Sequence, residues 1–175
     1  MPKPSRPLWT TVALALALAL LAGGDGWSRS RSSRSGRGRR PAEEWSRTSP
    51  PVNVTHIFEG EVNKRGKPVG FHSRPGGRDP QGARLVRVVD RPNRAGVYTA
   101  EVEIRSGPDW LPKRSTLYPD RLDRDAVIQA VLHAFAGRTT GGAEKFRGPS
   151  GQGFTIEGHY QNGRINTAYP IFTRD

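Results

Sequence analysis

No cysteine occurs in the 175 residues, and this absence constrains the fold more than any other single feature. Disulfide frameworks, zinc fingers and iron–sulfur centres all need thiolate donors, and so does a thiol nucleophile, so each is excluded at once. The chain must hold itself together by apolar packing. Its chemistry must come from His, Lys, Arg, Tyr and hydroxyl groups. The length is that of one domain. With 34% apolar and 25% charged residues, 21 Gly and 15 Pro, the chain is too polar for an integral membrane protein and too apolar for complete disorder. A small, turn-rich, cationic domain remains.

The formal net charge of +12 divides unevenly. Residues 1–24 carry Lys3 and Arg6 and no acid; the 15-residue apolar run from Leu8 to Ala22 follows, then Gly23-Gly24. A cationic start, a run shorter than the roughly 20 residues needed to span a bilayer, and small residues at a cleavage position read as a secretory signal peptide. The expected location is therefore secreted. Residues 25–51 hold seven Arg and three acids among Ser, Gly and Pro, with no apolar periodicity. This composition cannot bury enough surface to offset chain ordering and reads as a disordered Arg/Ser-rich linker. Two readings of it stand side by side: a polyanion-attracting arm or a soluble spacer. Trp27 and Trp45 read as incidental. Residues 52–175 form the body, whose 19 basic and 13 acidic side chains leave it at +6. Such a body attracts polyanions: nucleic acid, phospholipid head groups or acidic wall polymers.

Within the body, Val54–Phe58 and Val69–His72 are short apolar elements around a polar Gly-Pro turn, with Glu59 and Glu61 alternating along a strand. Residues 84–89 and 96–105 alternate at period two and predict half-buried strands. Residues 125–136 place Val127, Ile128, Val131, Leu132 and Phe135 on one helical face, with Asp120 or Asp123 as cap and Gly137 as stop. The runs 153–160 and 164–170 flank Asn162-Gly163, a strong hairpin signal. Strands on both sides of one main helix predict an α+β fold, a small single domain with a largely antiparallel sheet.

Four histidines carry most of the chemical potential. His133 falls beside Gln129, off the helix's apolar face, and reads as solvated. His56 and His72 sit in adjacent elements 16 residues apart. Paired imidazoles can add one proton to a substrate while removing another at neutral pH; the competing reading is that the two are independent core or surface residues. A metal site is less favoured, since neither the HExxH spacing nor a carboxylate cluster occurs. Ser150 lacks a GxSxG context. The Gly148–Gly153 loop reads as turn-making glycine, with phosphate cradling as the alternative.

The run His56-Ile57-Phe58-Glu59-Gly60-Glu61-Val62 followed by Gly66-Lys67-Pro68-Val69-Gly70-Phe71-His72-Ser73 resembles the paired-histidine signature of bacterial EndoU-type ribonucleases. Gly153-Phe154-Thr155-Ile156-Glu157-Gly158 with Gly163-Arg164-Ile165-Asn166-Thr167-Ala168-Tyr169-Pro170 is similar to that family's closing hairpin. The resemblance covers residues 54–172 and implies a barnase/EndoU/colicin/RelE-like fold. Domains of this family serve as toxin tips in contact-dependent inhibition and polymorphic toxin systems, and several cleave tRNA.

What the resemblance implies for the site is a catalytic set of His56, His72, Thr167 and Tyr169, with the last two as hydroxyls on one side of a strand. Lys145 is a weak candidate for the lysine found in animal and viral relatives, and His159 takes no role. The implied reaction is transphosphorylation without metal or cofactor: attack by the ribose 2′-OH leaves a 2′,3′-cyclic phosphate. The implied partners are RNA, with tRNA among the substrates to test, and an acidic immunity protein. The alternative is a non-catalytic cationic module that binds nucleic acid or an anionic wall polymer.

Overall fold

The computed structural model describes residues 42–141 and 144–175. The expected signal segment, most of the linker and Trp27 lie outside the described residues. The last part of the linker does not stand apart from the body. Glu44 accepts from the Val54 N–H at 2.8 Å and donates its own N–H to Thr55 Oγ1 at 2.7 Å. Trp45 bridges to Asn53, and the Arg164 guanidinium lies 5.0 Å from the Trp45 ring centroid. Trp45 is thus a packing residue rather than an incidental one.

Helix α1 is a single short turn, Val54–Phe58. Its start is fixed by the Asn53 side chain, which accepts from the His56 N–H at 2.9 Å and satisfies one of the orphan donors of a helix start. Its end is the Glu59 N–H on Thr55 O at 2.9 Å, after which Gly60 reverses the chain at φ +67. Glu59 and Glu61 therefore do not alternate along one strand as expected: a helix cap holds the first, and the second opens β1 (Glu61–Val62). Strand β1 pairs antiparallel with β2 (Pro68–Val69).

Past β2 the chain turns sharply at Gly70 and Phe71, both at positive φ, and runs back along α1. The Phe71 N–H bonds His56 O at 2.8 Å, and the His72 N–H bonds Ile57 O at 2.7 Å. Phe71 fills the space beneath this crossing and is fully buried.

Strands β3 (Ala83–Asp90), β4 (Tyr98–Ser106) and β5 (Asp109–Leu117) form an antiparallel sheet in that order. The alternation read in the sequence holds on β4: Tyr98, Ala100, Val102 and Ile104 face inward and are buried, while Glu101, Glu103 and Arg105 face out. Strand β5 was not foreseen, because Pro112, Lys113 and Arg114 interrupt any apolar pattern. It tolerates Pro112 because it lies at the sheet edge, where one side makes no ladder bonds.

Helix α2, Arg124–Ala136, is capped by Asp123, whose Oδ1 accepts from the Ala126 N–H at 2.8 Å, and is closed by Gly137. Its buried face is Val127, Ala130, Val131 and Ala134; Ile128, Leu132 and Phe135 are half-buried at its margin. The apolar face is thus rotated toward two alanines, whose small side chains let the helix settle on the sheet below. His133 is exposed, as expected.

That sheet has the order β6 (Thr140–Gly141), β7 (Lys145–Pro149), β8 (Thr155–Gln161), β9 (Arg164–Pro170), all antiparallel. The β8–β9 turn at Asn162-Gly163 has both residues at positive φ, the type I′ geometry the dipeptide predicts. The antiparallel α+β class is as read from the sequence, distributed over three sheets. Among the described residues no helix is long and apolar enough to cross a membrane.

Two apolar clusters hold the domain. One joins α1, α2 and the β6–β9 sheet through Ile57, Phe58, Val131, Phe146, Ile156 and Ile165. The other lies under β3–β5 and includes Phe71, Val102 and Leu117. Full burial of each such side chain contributes roughly 1.5–3 kcal/mol. The segment 56–72 crosses between the clusters, so both histidines stand where the two halves meet.

Gly66 and Gly70 share φ +74, but a Cβ at Gly70 would lie 2.2 Å from His56 O while one at Gly66 would meet nothing within 4 Å. Gly66→Ala is expected to cost about 1 kcal/mol from the backbone conformation alone, and Gly70→Ala about 2–4 kcal/mol because the clash adds to it. Urea denaturation of the two variants measures the difference; equal costs would show that the crossing relaxes freely.

Candidate active site

His56 and His72 come together at this crossing, with ring centroids 6.0 Å apart. The ring of Tyr169 lies 5.4 Å from that of His72. Three of the four residues singled out by sequence are therefore neighbours. Thr167 shares the face of β9 with Tyr169, two residues away, and is half-buried.

Each histidine has its Nδ1 tied off. In His56 it faces Glu61 Oε1 at 3.2 Å. In His72 it faces the Thr116 carbonyl at 3.0 Å and Ser115 Oγ at 3.1 Å. A carbonyl can only accept, so His72 Nδ1 carries the proton and Nε2 of the neutral ring presents a lone pair. The Ser115 hydroxyl donates to Phe71 O at 2.7 Å, which leaves its oxygen to accept from His72 and from Lys113 Nζ at 3.1 Å. Both rings are thus oriented by bonds on Nδ1, and among the described residues neither Nε2 has a hydrogen-bond partner.

The electrostatics separate the two imidazoles. Burial holds the His72 pKa well below its usual 6.5, and the charges of Lys113 and His56 push the same way against the weaker opposing bond to Thr116. His72 is therefore neutral at pH 7. Lys113 is itself pushed down to about 8 by burial, and its ammonium donates to Gly70 O at 2.8 Å. Glu61, half-buried, supplies His56 with a carboxylate partner.

Lys113, Ser115 and Glu157 were missed in the sequence. Lys113 and Ser115 lie on the inward face of β5, in step with buried Leu117 and opposite exposed Arg114. Period-two counting through Leu111, Lys113, Ser115 and Leu117 would have found them once β5 was recognised as a strand. Glu157, 6% exposed, sits opposite Tyr169 in the β8–β9 register and accepts a hydrogen bond from its hydroxyl. Burial works against the charge on Glu157. Lys145, the Tyr169 hydroxyl and Arg147 outweigh it and bring the carboxyl down to about 2. Burial and the neighbouring Glu157 raise Tyr169 to about 12. The phenol proton is thus committed to Glu157, and Tyr169 presents its ring to His72. Lys145 is engaged with Glu157 at 2.8 Å, on the same face of the sheet as Thr167 and Tyr169. His159 is exposed. Among the described residues no three His, Cys, Asp or Glu side chains come together as a metal-ligand group.

Because unfolded His72 takes a proton near pH 6.5 while the folded ring resists it, this histidine opposes folding increasingly as pH falls below that value. Removing the neighbouring charge relieves part of the resistance. Lys113→Met is therefore expected to move the His72 titration midpoint upward, followed through its imidazole Cε1–H signal by NMR. An unmoved midpoint would separate Lys113 from the electrostatics of the pair.

The sequence has relatives. A protein of Bacillus cereus named Toxin is 28% identical over 122 residues, which are 69% of this chain and 22% of that protein. The chain thus spans less than a quarter of that relative's length. No solved structure matches the chain. The family described as Bacterial EndoU nuclease matches residues 52–172, which include both histidines, both β9 hydroxyls and Lys113. With well over half of its length matched, the chain belongs to the bacterial EndoU nuclease family.

Proposed function

We propose that residues 52–175 are a metal-independent endoribonuclease that uses the ribose 2′-OH of its substrate as the nucleophile. The observation that carries this reading is the pair of imidazoles 6.0 Å apart, each held at Nδ1 and open at Nε2, with one of them kept neutral. A base must begin without its proton, which assigns that role to His72. His72 Nε2 takes the proton from the 2′-OH, the oxygen forms a bond to phosphorus, the bond from phosphorus to the 5′-oxygen breaks, and His56 gives that oxygen a proton. The products are a 2′,3′-cyclic phosphate and a free 5′-hydroxyl. Glu61 orients His56 for this transfer. The buried charge of Lys113 keeps His72 ready to accept and favours the phosphate nearby. Thr167 positions the phosphate, and Tyr169, clamped by Glu157, supports the His72 ring.

The reading extends to the whole chain. A relative named Toxin and the run 1–24 support a secreted nuclease toxin, with RNA, tRNA included, as substrate. A cell that makes such an enzyme needs an inhibitor. The net charge of +6 on the body favours an acidic immunity protein.

His56→Ala and His72→Ala are each expected to lower RNA cleavage by about 10²–10⁴-fold with unchanged circular dichroism, the usual value of one positioned proton transfer. Tyr169→Phe and Thr167→Ala should cost less than either. The decisive experiment compares an RNA with its counterpart carrying 2′-deoxy at the cleaved nucleotide, in EDTA, on a denaturing gel. The RNA should yield a 2′,3′-cyclic phosphate and the deoxy version should survive. Cutting of the deoxy version, or loss of activity in EDTA, would instead indicate an activated water.

A further inference from the structure

Most cations around the crossing are neutralised where they stand: Lys145 and Arg147 by Glu157, Arg74 by Asp79, Arg114 by Asp90. The tip of the β1–β2 hairpin differs. Lys64, Arg65 and Lys67 are exposed and, among the described residues, none of them has a carboxylate partner. Three exposed cations in four positions thus stand together on the hairpin whose stem carries Glu61, the partner of His56.

The tip is built to stay in one shape. Asn63 Oδ1 accepts from the Arg65 N–H at 2.9 Å and the Lys67 N–H at 3.0 Å. The Asn63 N–H bonds Lys67 O at 2.9 Å, and the Gly66 N–H bonds Asn63 O at 2.9 Å. Its stem is fastened to the reacting groups on both strands: Glu61 of β1 holds His56, and the carbonyl of Gly70, just past β2, accepts from Lys113. Lys64 is three residues beyond Glu61 and so at most about 10 Å from it along the chain. A preordered group at that range loses little freedom on binding.

We propose that the Lys64–Lys67 turn is a phosphate clamp that grips the backbone of an RNA strand next to the scissile phosphate. The proposal rests on the ribonuclease reading above and adds a binding surface to it. The turn offers ammonium and guanidinium groups and no aromatic or apolar side chain. It therefore recognises backbone charge rather than base identity, and it lacks the desolvated apolar centre that a protein partner would require.

The test uses the full chain and a fully 2′-O-methylated RNA oligonucleotide, which has no free 2′-OH and cannot be cut by the proposed route. Kd is measured by fluorescence anisotropy between 50 and 200 mM salt. Lys64→Gln, Arg65→Gln and Lys67→Gln combined should weaken binding by about tenfold or more at the low-salt end. The slope of log affinity against log salt should flatten by about 2, since each single-strand phosphate contact contributes about 0.7. The control replaces Arg91, Arg94 and Arg105 by Gln, removing the same charge from exposed positions elsewhere, and should keep most of the slope. Equal losses in the two triple variants, or an unchanged slope in the first, would overturn the clamp. The ribonuclease reading is judged separately: a chain that binds through the turn but never cleaves RNA would retain the clamp and lose the nuclease.

Discussion

The backbone crossing of α1 with the chain after β2 is the constraint on which the site depends. Two hydrogen bonds, Phe71 N–H to His56 O and His72 N–H to Ile57 O, pin together segments that the hairpin between them carries out and back. Because these are main-chain bonds, they set where both imidazoles begin, whatever the side chains do. Gly70 makes the approach sterically possible, and Phe71 anchors it in the second apolar cluster. The histidine pair and its neighbours are therefore placed by elements of both halves of the domain: α1 and β9 from one cluster, the post-β2 segment and β5 from the other.

Around this crossing the charges divide into two kinds. Some are spent on structure. Glu157 gathers Lys145, Arg147 and the Tyr169 hydroxyl into one network, and its low pKa reflects how strongly that network outweighs the cost of burial. Others are held in reserve. Lys113 is buried enough to lose some of its affinity for its own proton, yet it is close enough to His72 to repel one there. Two imidazoles of identical chemistry thereby face different conditions: one sits against a carboxylate, the other against a carbonyl, a hydroxyl and an ammonium. That asymmetry is what assigns base and acid in the reaction proposed above. A chain without cysteine reaches such a site through packing and hydrogen bonding alone.

Much of this was legible in the sequence, and the limits of legibility are physical. Period-two alternation identified β3 and β4, Asn162-Gly163 marked the hairpin of β8 and β9, and Asp123 and Gly137 bounded α2, because each is a local property of consecutive residues. The histidine pair and the β9 hydroxyls were reached through resemblance to a family, their spacing alone being open to other readings. Strand β5 escaped because Pro112 and two adjacent cations mask its pattern; it survives as a strand only because β4 supplies its partner. Val54–Phe58 read only as a short apolar element because five apolar-rich residues are too few to show a period, and the Asn53 cap with the packing of Ile57 and Phe58 makes it a helical turn.

The sequence by itself determined the exclusion of thiol chemistry, the basic body and the α+β class, since all of these follow from composition and near-neighbour order. Only the tertiary structure decided which nitrogen of each imidazole is held, that Lys113 stands beside His72, and that Lys145 pairs with Glu157. Those outcomes depend on contacts between residues as much as 44 positions apart, such as His72 with Thr116. Contacts at that separation come into being only when the sheets and helices close on one another.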